Sequence, residues 1–507
     1  MPPLTAGRRA AVTVALSLAV FMNVLDLSIA NVAIPTIAGE LGVSADSGTW
    51  VITSFAVCAA IMMPLTGWLA RTFGELRTFV FCTAAFTLAS LLCGLAVDLP
   101  MLIVARALQG LVSGPMIPLS QSLLLANCPD DRKNQALSLL LMVTVAAPVL
   151  GPILGGWITD NWAWEWVFYV NVPIGIVSTL GVAWLLRGRE TPIARSRMDK
   201  VGIALLALGI GCLQVMLDRG KDLDWFGSSM IITLTVIAVV ALAFFVAWEL
   251  TAKNPAVDLR LFKRRNFTVA TIALCLGFAI YFGNIVLLPL WLQTQQGYTA
   301  TWAGIATAPV GVLPILLAPL LGRYMSRFDL RWWGTLSFVS FGLTSFLFAG
   351  LNTDVPFDRI AWSRLAQGIG LVCFFPPLLA ILISGLPPNR IASATGLANA
   401  LRTLAGSFAT SITTTWWDRR EALHQANLTE NITSFHPAAR GAVEQLNQLG
   451  LSGDRSFAAI EQTLVQQAYM LATNELFWLW GWMLLAFIPM IWLARPPFAS
   501  RGRVVAE

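Results

Sequence analysis

Charge is scarce in this sequence: 12% of its 507 residues are Asp, Glu, Lys or Arg, and there are two histidines, His424 and His436. No G-x-x-x-x-G-K-[ST] phosphate loop occurs, so the chain does not itself hydrolyse nucleotide as an energy source. Among the seven cysteines there is no C-x-x-C pair, and Cys58, Cys82, Cys93, Cys212, Cys275 and Cys373 fall inside apolar runs. They read as small hydrophobes, not as disulfide partners or metal ligands. With both histidines in one polar stretch, no Ser/His/Asp or metal-ligand cluster forms in a pocket, which argues against an enzyme. The net charge of +6 comes without a basic cluster interleaved with aromatics, so nucleic acid is not an expected partner.

What fills the chain instead is apolar: 57% of residues are hydrophobic and the mean hydropathy is +0.71, well above ordinary soluble domains. Runs of about 20 apolar residues recur, each able to cross roughly 30 Å of hydrocarbon as a helix. Barrel strands would alternate apolar and polar residues, which these runs do not. The sequence therefore predicts an all-α integral membrane protein surrounded by lipid bilayer. Its charged breaks predict fourteen spans, near 12–34, 50–70, 79–97, 101–125, 136–158, 166–186, 200–218, 229–250, 267–290, 302–324, 333–350, 360–384, 392–415 and 474–494. The first run follows Arg8 and Arg9 as a signal peptide would, yet it continues through Asp26 to Pro35 without an A-x-A site and reads as an uncleaved span.

Basic residues are distributed unevenly over the loops. With a cytoplasmic N-terminus, the inside segments collect 23 of the 33 Lys and Arg, while the short outer loops hold Arg219, Lys221 and Arg359. That is positive-inside sorting, and it places both termini in the cytoplasm. One extramembrane segment is sizeable: 416–473, polar, with helical periodicity enough for one or two short amphipathic helices and with sequons at Asn427 and Asn431.

GWLARTFGELR from Gly67 resembles GRYMSRFDLR from Gly322, an offset of 255, and ARALQG at 105–110 resembles SRLAQG at 363–368, an offset of 258. Two matches at nearly one offset predict an internal duplication. The domains expected are a six-helix bundle over 1–190, two inserted helices over 191–265, and a second six-helix bundle over 266–507 that carries the outer loop 416–473. Parallel repeats of this kind put the substrate path between the halves, near midplane.

LDLSIANVAIP (25–35), GTWVITSF (48–55), RALQG (106–110), GPILGGWITDNW (151–162), NVPIG (171–175), MLDRGKDLDWF (216–226), RTLAGSFATSITTTWW (402–417) and NELFW (474–478) follow one another in order. With these motifs the chain resembles the major facilitator superfamily, specifically its fourteen-span drug:proton antiporters, the EmrB-type multidrug efflux subunits of Gram-negative bacteria. The resemblance implies the major facilitator fold, export of drugs driven by the proton motive force with no cofactor, a place in the bacterial inner membrane, and a periplasmic adaptor and outer-membrane channel as partners. In the loop motif Gly67, Gly74 and Arg77 are kept, but Arg71 stands where the family usually has an acid; the second copy has Ser326 and Asp329 in place of the expected acid and glycine.

Asp26 is the residue that most needs an explanation. A carboxylate at membrane depth costs several kcal/mol unless it is paired or hydrated, so an acid kept there is a natural proton carrier. The bland alternative is a cap on a kinked helix. An offset of 255 from Asp26 lands on Tyr281, so the second half is expected to lack a matching acid. Arg106 must face a carboxylate, carbonyls or water, and the resemblance implies that it assists proton movement; otherwise it is an interfacial, snorkelling arginine. Arg402 could compensate buried negative charge or a substrate anion, or form a structural salt bridge. Pro148, Gly151, Pro152, Gly155 and Gly156 crowd one span with residues that permit close approach and kinks, and the resemblance implies a gating motif sealed against the other half. Candidate drug contacts are Asn23, Trp50, Gln109, Gln121, Tyr281, Asn284, Phe374, Phe375, Asn399 and Arg402, because aromatic faces grip planar and cationic compounds and a few polar groups orient them. Export of one endogenous metabolite is a second reading, and a membrane receptor without transport is one from another class.

Overall fold

The computed structural model describes residues 4–129, 132–194, 198–252, 254–430, 437–448 and 453–498. Arg195, Arg197, Lys253, Arg501 and Arg503, the second sequon at Asn431, and His436 lie outside the described residues. Every regular element among the described residues is helical.

The first bundle comprises α1 (Ala6–Glu40), α2 (Trp50–Met62) continued by α3 (Thr66–Phe73), α4 (Glu75–Gly94), α5 (Leu99–Ser113) continued by α6 (Met116–Asn127), α7 (Lys133–Asn161) and α8 (Asn171–Leu185). The inserted pair is α9 (Lys200–Arg219) and α10 (Ser229–Thr251). The second bundle comprises α11 (Arg265–Gln295), α12 (Ala300–Thr307) continued by α13 (Val312–Tyr324), α14 (Leu330–Ala349), α15 (Phe357–Val372) continued by α16 (Phe375–Ile383), α17 (Ile391–Glu430) and, after a short α18 (Pro437–Gln448), α19 (Asp454–Ala486). Side chains and backbone specify where these helices begin: Asp98 accepts from the Met101 N–H at 2.8 Å and Asp199 from the Gly202 N–H at 2.9 Å, each satisfying a donor that the first turn cannot pair internally.

Among the described residues eleven helices are long and apolar enough to cross a membrane, or 13 when the two pairs bent by 60° and 43° within Trp50–Phe73 and Gln135–Asn161 each count as one span. The remaining expected span, 392–415, lies in α17, which is more polar than these. At about 1.5 Å per residue its 40 residues reach about 60 Å, twice the hydrocarbon thickness. The expected loop 416–473 is therefore largely the continuation of two span helices: α17 runs on to Glu430 and α19 starts at Asp454. They are tied side by side by Trp417 Nε1–H donating to Thr473 Oγ1 (2.8 Å) and by a two-pronged Arg420–Glu475 pair (2.6 Å each) that His424 joins at 3.1 Å.

Each bundle has its own apolar core, around Leu16, Phe55, Phe79 and Phe86 in the first, and around Trp291, Phe338, Phe374 and Phe477 in the second. The inserted helix α9 lies along the seam: Ser411 on α17 donates to the Leu217 carbonyl at 2.6 Å, and Gln214 donates to Ser407 at 3.0 Å. At the molecular face that carries the chain ends the two bundles close on each other. Gly67 at the head of α3 sits against Ser393 of α17, so tightly that a Cβ there would lie 2.7 Å from the Ser393 Cα. One step deeper, Asn399 Nδ2 donates to Gln121 Oε1 at 3.2 Å across the seam.

Candidate functional site

Asp26, in the middle of α1, is completely buried, as is Arg106 on α5, and the two form an ion pair at 2.5 Å. The carboxylate takes three donors. Arg106 Nη1 serves Oδ2, while Gln109 Nε2 (3.1 Å) and Asn171 Nδ2 (2.7 Å) serve Oδ1. The guanidinium in turn donates to Gln109 Oε1 (2.7 Å) and, through Nε, to the Val51 carbonyl (3.0 Å), and its Nη2 has no partner. Phe55 and Phe168 lie against it, with ring centroids 4.4 and 5.6 Å away. All three contacts are ones that the carboxylate accepts, and they tie α1 to α5 and to the start of α8.

Asn171 opens the NVPIG stretch that marks the sequence at 171–175, but nothing in its spacing tied it to Asp26. Ser90 extends the same network, accepting from Asn171 Nδ2 at 3.1 Å and donating to the Phe168 carbonyl at 2.9 Å.

The second bundle holds a copy of this constellation with one atom type changed. Arg364 on α15 is 1% exposed, and its Nη1 donates to Asn284 Oδ1 (2.5 Å) and Gln367 Oε1 (2.6 Å). Asp26–Arg106 and Asn284–Arg364 are both 80 residues apart, so the register is 258 throughout this region and the mate of Asp26 is Asn284, not Tyr281. The expected absence of a matching acid stands, but the position was misread: the loop glycines from which 255 was taken sit three residues out of step with the helices that carry the buried groups. Arg364 is held wholly inside the bundle, not at a span end. Its Nε has no hydrogen-bond partner among the described residues, and the adjacent acceptors are amides and a carbonyl.

Between the bundles lies a narrow cavity of about 20 Å³ lined by Gln121, Leu141, Leu274, Phe375, Asn399 and Arg402, with Leu379 and Ala398 completing it. Drug-sized sites usually occupy about 300–1,000 Å³, so this conformation is close to shut. The Arg402 guanidinium lies over Phe278 (4.9 Å) and Phe375 (5.3 Å), and its buried Nε has no hydrogen-bond partner among the described residues. Of the candidate drug contacts the structure brings Gln121, Phe375, Asn399 and Arg402 together here, and Phe278, Leu141 and Leu274 join them. The others sit elsewhere. Asn23 donates to the Ser113 carbonyl inside the first bundle, Gln109 belongs to the Asp26 cluster, and Asn284 belongs to Arg364. Trp50 lies under Arg219, Tyr281 stacks on Phe341 at 5.5 Å, and Phe374 is sealed among Phe338, Phe341 and Phe375. Asp26 does not line the cavity, so the buried ion pair and the cavity are separate in this conformation.

The bent helix α7 connects them. Ser28, two residues beyond Asp26, donates to the Pro148 carbonyl at 3.1 Å; Gly151 rests on Ser28 and Gly155 on Ile29, both in the same bundle. Of the candidate gating glycines, Gly156 is placed toward the other bundle, beside Thr301; Pro152 lies in the helix, and its side chain is outside the described residues. In the loop motif Gly74 takes φ +93°, a left-handed conformation that glycine enters without cost. The acid missing from position 71 has a substitute that sequence order hides: Glu190, far along the chain, accepts from the Leu76 and Arg77 N–H groups at 3.0 and 2.9 Å and so caps α4, with the Arg77 side chain 4.0 Å away.

Comparison with known proteins agrees with this architecture. A family profile described as the Major Facilitator Superfamily matches residues 16–410. The multidrug export protein EmrB of Escherichia coli (strain K12) is 50% identical over 501 residues, 99% of this chain and 98% of that one. The fatty acid resistance protein FarB of Neisseria gonorrhoeae is 48% identical over 505 residues, 99% of each chain. Among solved structures, the proton:xylose symporter XylE superposes with a TM-score of 0.61 over 96% of both chains at 14% identity, a likeness of fold alone.

Proposed function

This chain belongs to the major facilitator superfamily and is an EmrB-type multidrug efflux transporter, not an enzyme, and from that premise we propose that it is a drug:proton antiporter of the inner membrane with Asp26 as its proton carrier. The observation that carries the reading is the fully buried Asp26–Arg106 pair, an ionised carboxylate whose three donors come from two other helices. A proton arriving at Asp26 neutralises it, and Arg106 is then left to Gln109 and the Val51 carbonyl. The first bundle must repack around an uncompensated cation, and α7, tied to α1 through Ser28, carries that repacking to the seam beside the cavity. Proton entry down the membrane potential supplies about 2.3 kcal/mol per charge per 100 mV, enough to drive a drug uphill severalfold or more.

The drug site in this reading is the seam cavity, open wider in other conformations. Its aromatic and aliphatic walls suit hydrophobic and amphipathic compounds, and Arg402, a cation with a free buried N–H and no carboxylate beside it, favours those that carry an acidic or acceptor group. The name of the fatty acid resistance relative is in keeping with that preference. Both termini face the cytoplasm, as the basic loops imply. The protruding α17–α19 pair then stands on the periplasmic side, where it meets a periplasmic adaptor that leads to an outer-membrane channel.

The test is an inverted-vesicle assay: addition of drug should dissipate an imposed pH gradient with wild-type protein and fail to do so with Asp26→Asn. Drug binding without any proton movement in the wild type overturns the reading.

A further inference from the structure

The MLDRGKDLDWF stretch at 216–226 closes α9 and forms the turn toward α10, and neither the Asp26 cluster nor the cavity uses it. Its turn is held in an unusual backbone: Asp224 and Trp225 both have positive φ, 53° and 48°, conformations that non-glycine residues adopt only where the surroundings impose them. That geometry fastens the turn to the second bundle. Trp225 Nε1–H donates to Thr415 Oγ1 at 2.9 Å, Lys221 pairs with Asp418 at 2.8 Å, and the Leu217 carbonyl accepts from Ser411. Toward the first bundle the same stretch presents Asp218. Its carboxylate accepts from Gln214 Nε2 at 3.1 Å with the Thr53 hydroxyl of α2 beside it, and the same Gln214 amide reaches Ser407 on α17 at 3.0 Å. Thr53, Asp218, Gln214 and Ser407 thus form one polar chain that runs from the first bundle, through the inserted helix, to the second, in the half of the molecule away from the chain ends.

We propose that Asp218 is a second proton-linked carboxylate of the transport cycle, one that latches the bundle seam when ionised and releases it when a proton from the adjacent aqueous face binds. Three features support this. The Gln214 amide donates to Asp218 with the Thr53 hydroxyl beside it, and contacts of this kind are stronger to a charged carboxylate than to a neutral acid. The neighbouring guanidinium of Arg219 does not neutralise it alone: Arg219 is shared with Asp222 (3.6 Å) and Thr49 (3.5 Å) and lies over Trp50. Among the described residues the charges on the helices packed on α9 are engaged or distant: α2 carries none, Glu249 is at the far end of α10, and on α17 Asp418 is taken by Lys221, Arg420 by Glu475, while Arg402 lies over Phe278 and Phe375. The inserted helices, which no duplication requires, thereby acquire a role: they bring a titratable clasp to the outer half of the seam. Asp218 is a positioning residue, acting on the seam and not on the drug.

The inference rests on the antiport reading, and its test separates the two. Spin labels at Ile52→Cys on α2 and Ile412→Cys on α17 report the seam distance as a function of pH, beside drug-driven proton flux in the same reconstituted protein. Acidification should move wild type from a short to a longer distance, the ratio of the two changing by at most about tenfold per pH unit as for one titrating group. Asp218→Asn should hold the long distance at every pH, and Asp218→Glu should restore the pH response. Bound drug in Asp218→Asn checks that the variant is folded. If wild type shows coupled flux and Asp218→Asn keeps the wild-type pH response, this inference alone is overturned; if wild-type flux is not coupled to protons at all, the antiport reading goes and the inference with it.

Discussion

Asn284 and Arg364 supply a natural control for the most direct mutation of the first bundle. Asp26→Asn leaves a side chain of the same shape with one acceptor for Arg106, the arrangement the second bundle already has. What is lost is the charge opposite a guanidinium that has no access to water. Deleting one partner of a buried ion pair costs about 3–5 kcal/mol, because the remaining charge stays desolvated. Since this fold demonstrably holds a buried arginine on amide acceptors alone, the cost here should fall near the lower bound, about 3 kcal/mol. The double variant Asp26→Asn/Arg106→Gln removes the orphaned cation as well and should recover about 2 kcal/mol of that loss or more, since neutral replacement of a whole buried pair is often harmless. The assay is a thermal melt in detergent, read as the order of midpoints: wild type highest, double variant next, single variant lowest. Drug-driven proton flux should be absent from both variants, so that stability and transport come apart. A single variant that melts with wild type, or a double variant less stable than the single, refutes the argument that Arg106 depends on Asp26 for its charge balance.

In the second bundle the reverse change, Asn284→Asp, gives Arg364 the partner it lacks and should raise the melting midpoint, corresponding to about 1–3 kcal/mol for a charge-assisted bond; a lower midpoint contradicts the assignment of Arg364 as uncompensated. Arg402→Gln should weaken binding of a carboxylate-bearing drug by about 10- to 100-fold, the equivalent of about 1.5–3 kcal/mol, while an uncharged drug loses less than about threefold; equal losses for both by tryptophan-fluorescence titration would place Arg402 outside the drug site. Gly67→Leu puts a side chain where Ser393 lies, so the chain-end face cannot shut; export should fall by at least about tenfold, a change of about 1.4 kcal/mol or more, with expression and drug binding retained. Arg420→Ala breaks a pair that is more than one-third exposed on its Glu475 side, and the melt should move by the equivalent of less than about 1 kcal/mol.

The spans that read clearly in the sequence are those whose whole length is apolar, and Asp26 was conspicuous because it interrupts one. Arg106 was legible as a cation in need of a carboxylate, carbonyls or water, but its own residues did not name Asp26 as the partner. The span at 392–415 was legible too, but not that its helix runs on to Glu430, because the polar residues beyond Trp417 read as a loop. The register of the duplication was blurred by a loop that slips three residues while the buried helices do not, which is why Tyr281 stood in for Asn284. Asn171, Glu190 and Asp218 were invisible as partners, since each meets its target across more than a hundred residues of chain and none stands out from its local composition. Aromatic and amide residues misled in the other direction: Phe374, Tyr281 and Asn23 satisfy every criterion for a drug contact except facing the cavity.

Whether a proton enters and leaves Asp26 during transport is the claim on which the rest depends, and infrared difference spectroscopy measures it without inference from flux. Spectra of drug-loaded minus drug-free protein should contain a carboxylic-acid C=O band that is missing from the same difference for Asp26→Asn. A spectrum with no such band in wild type, or one whose band survives unchanged in Asp26→Asn, would contradict the account.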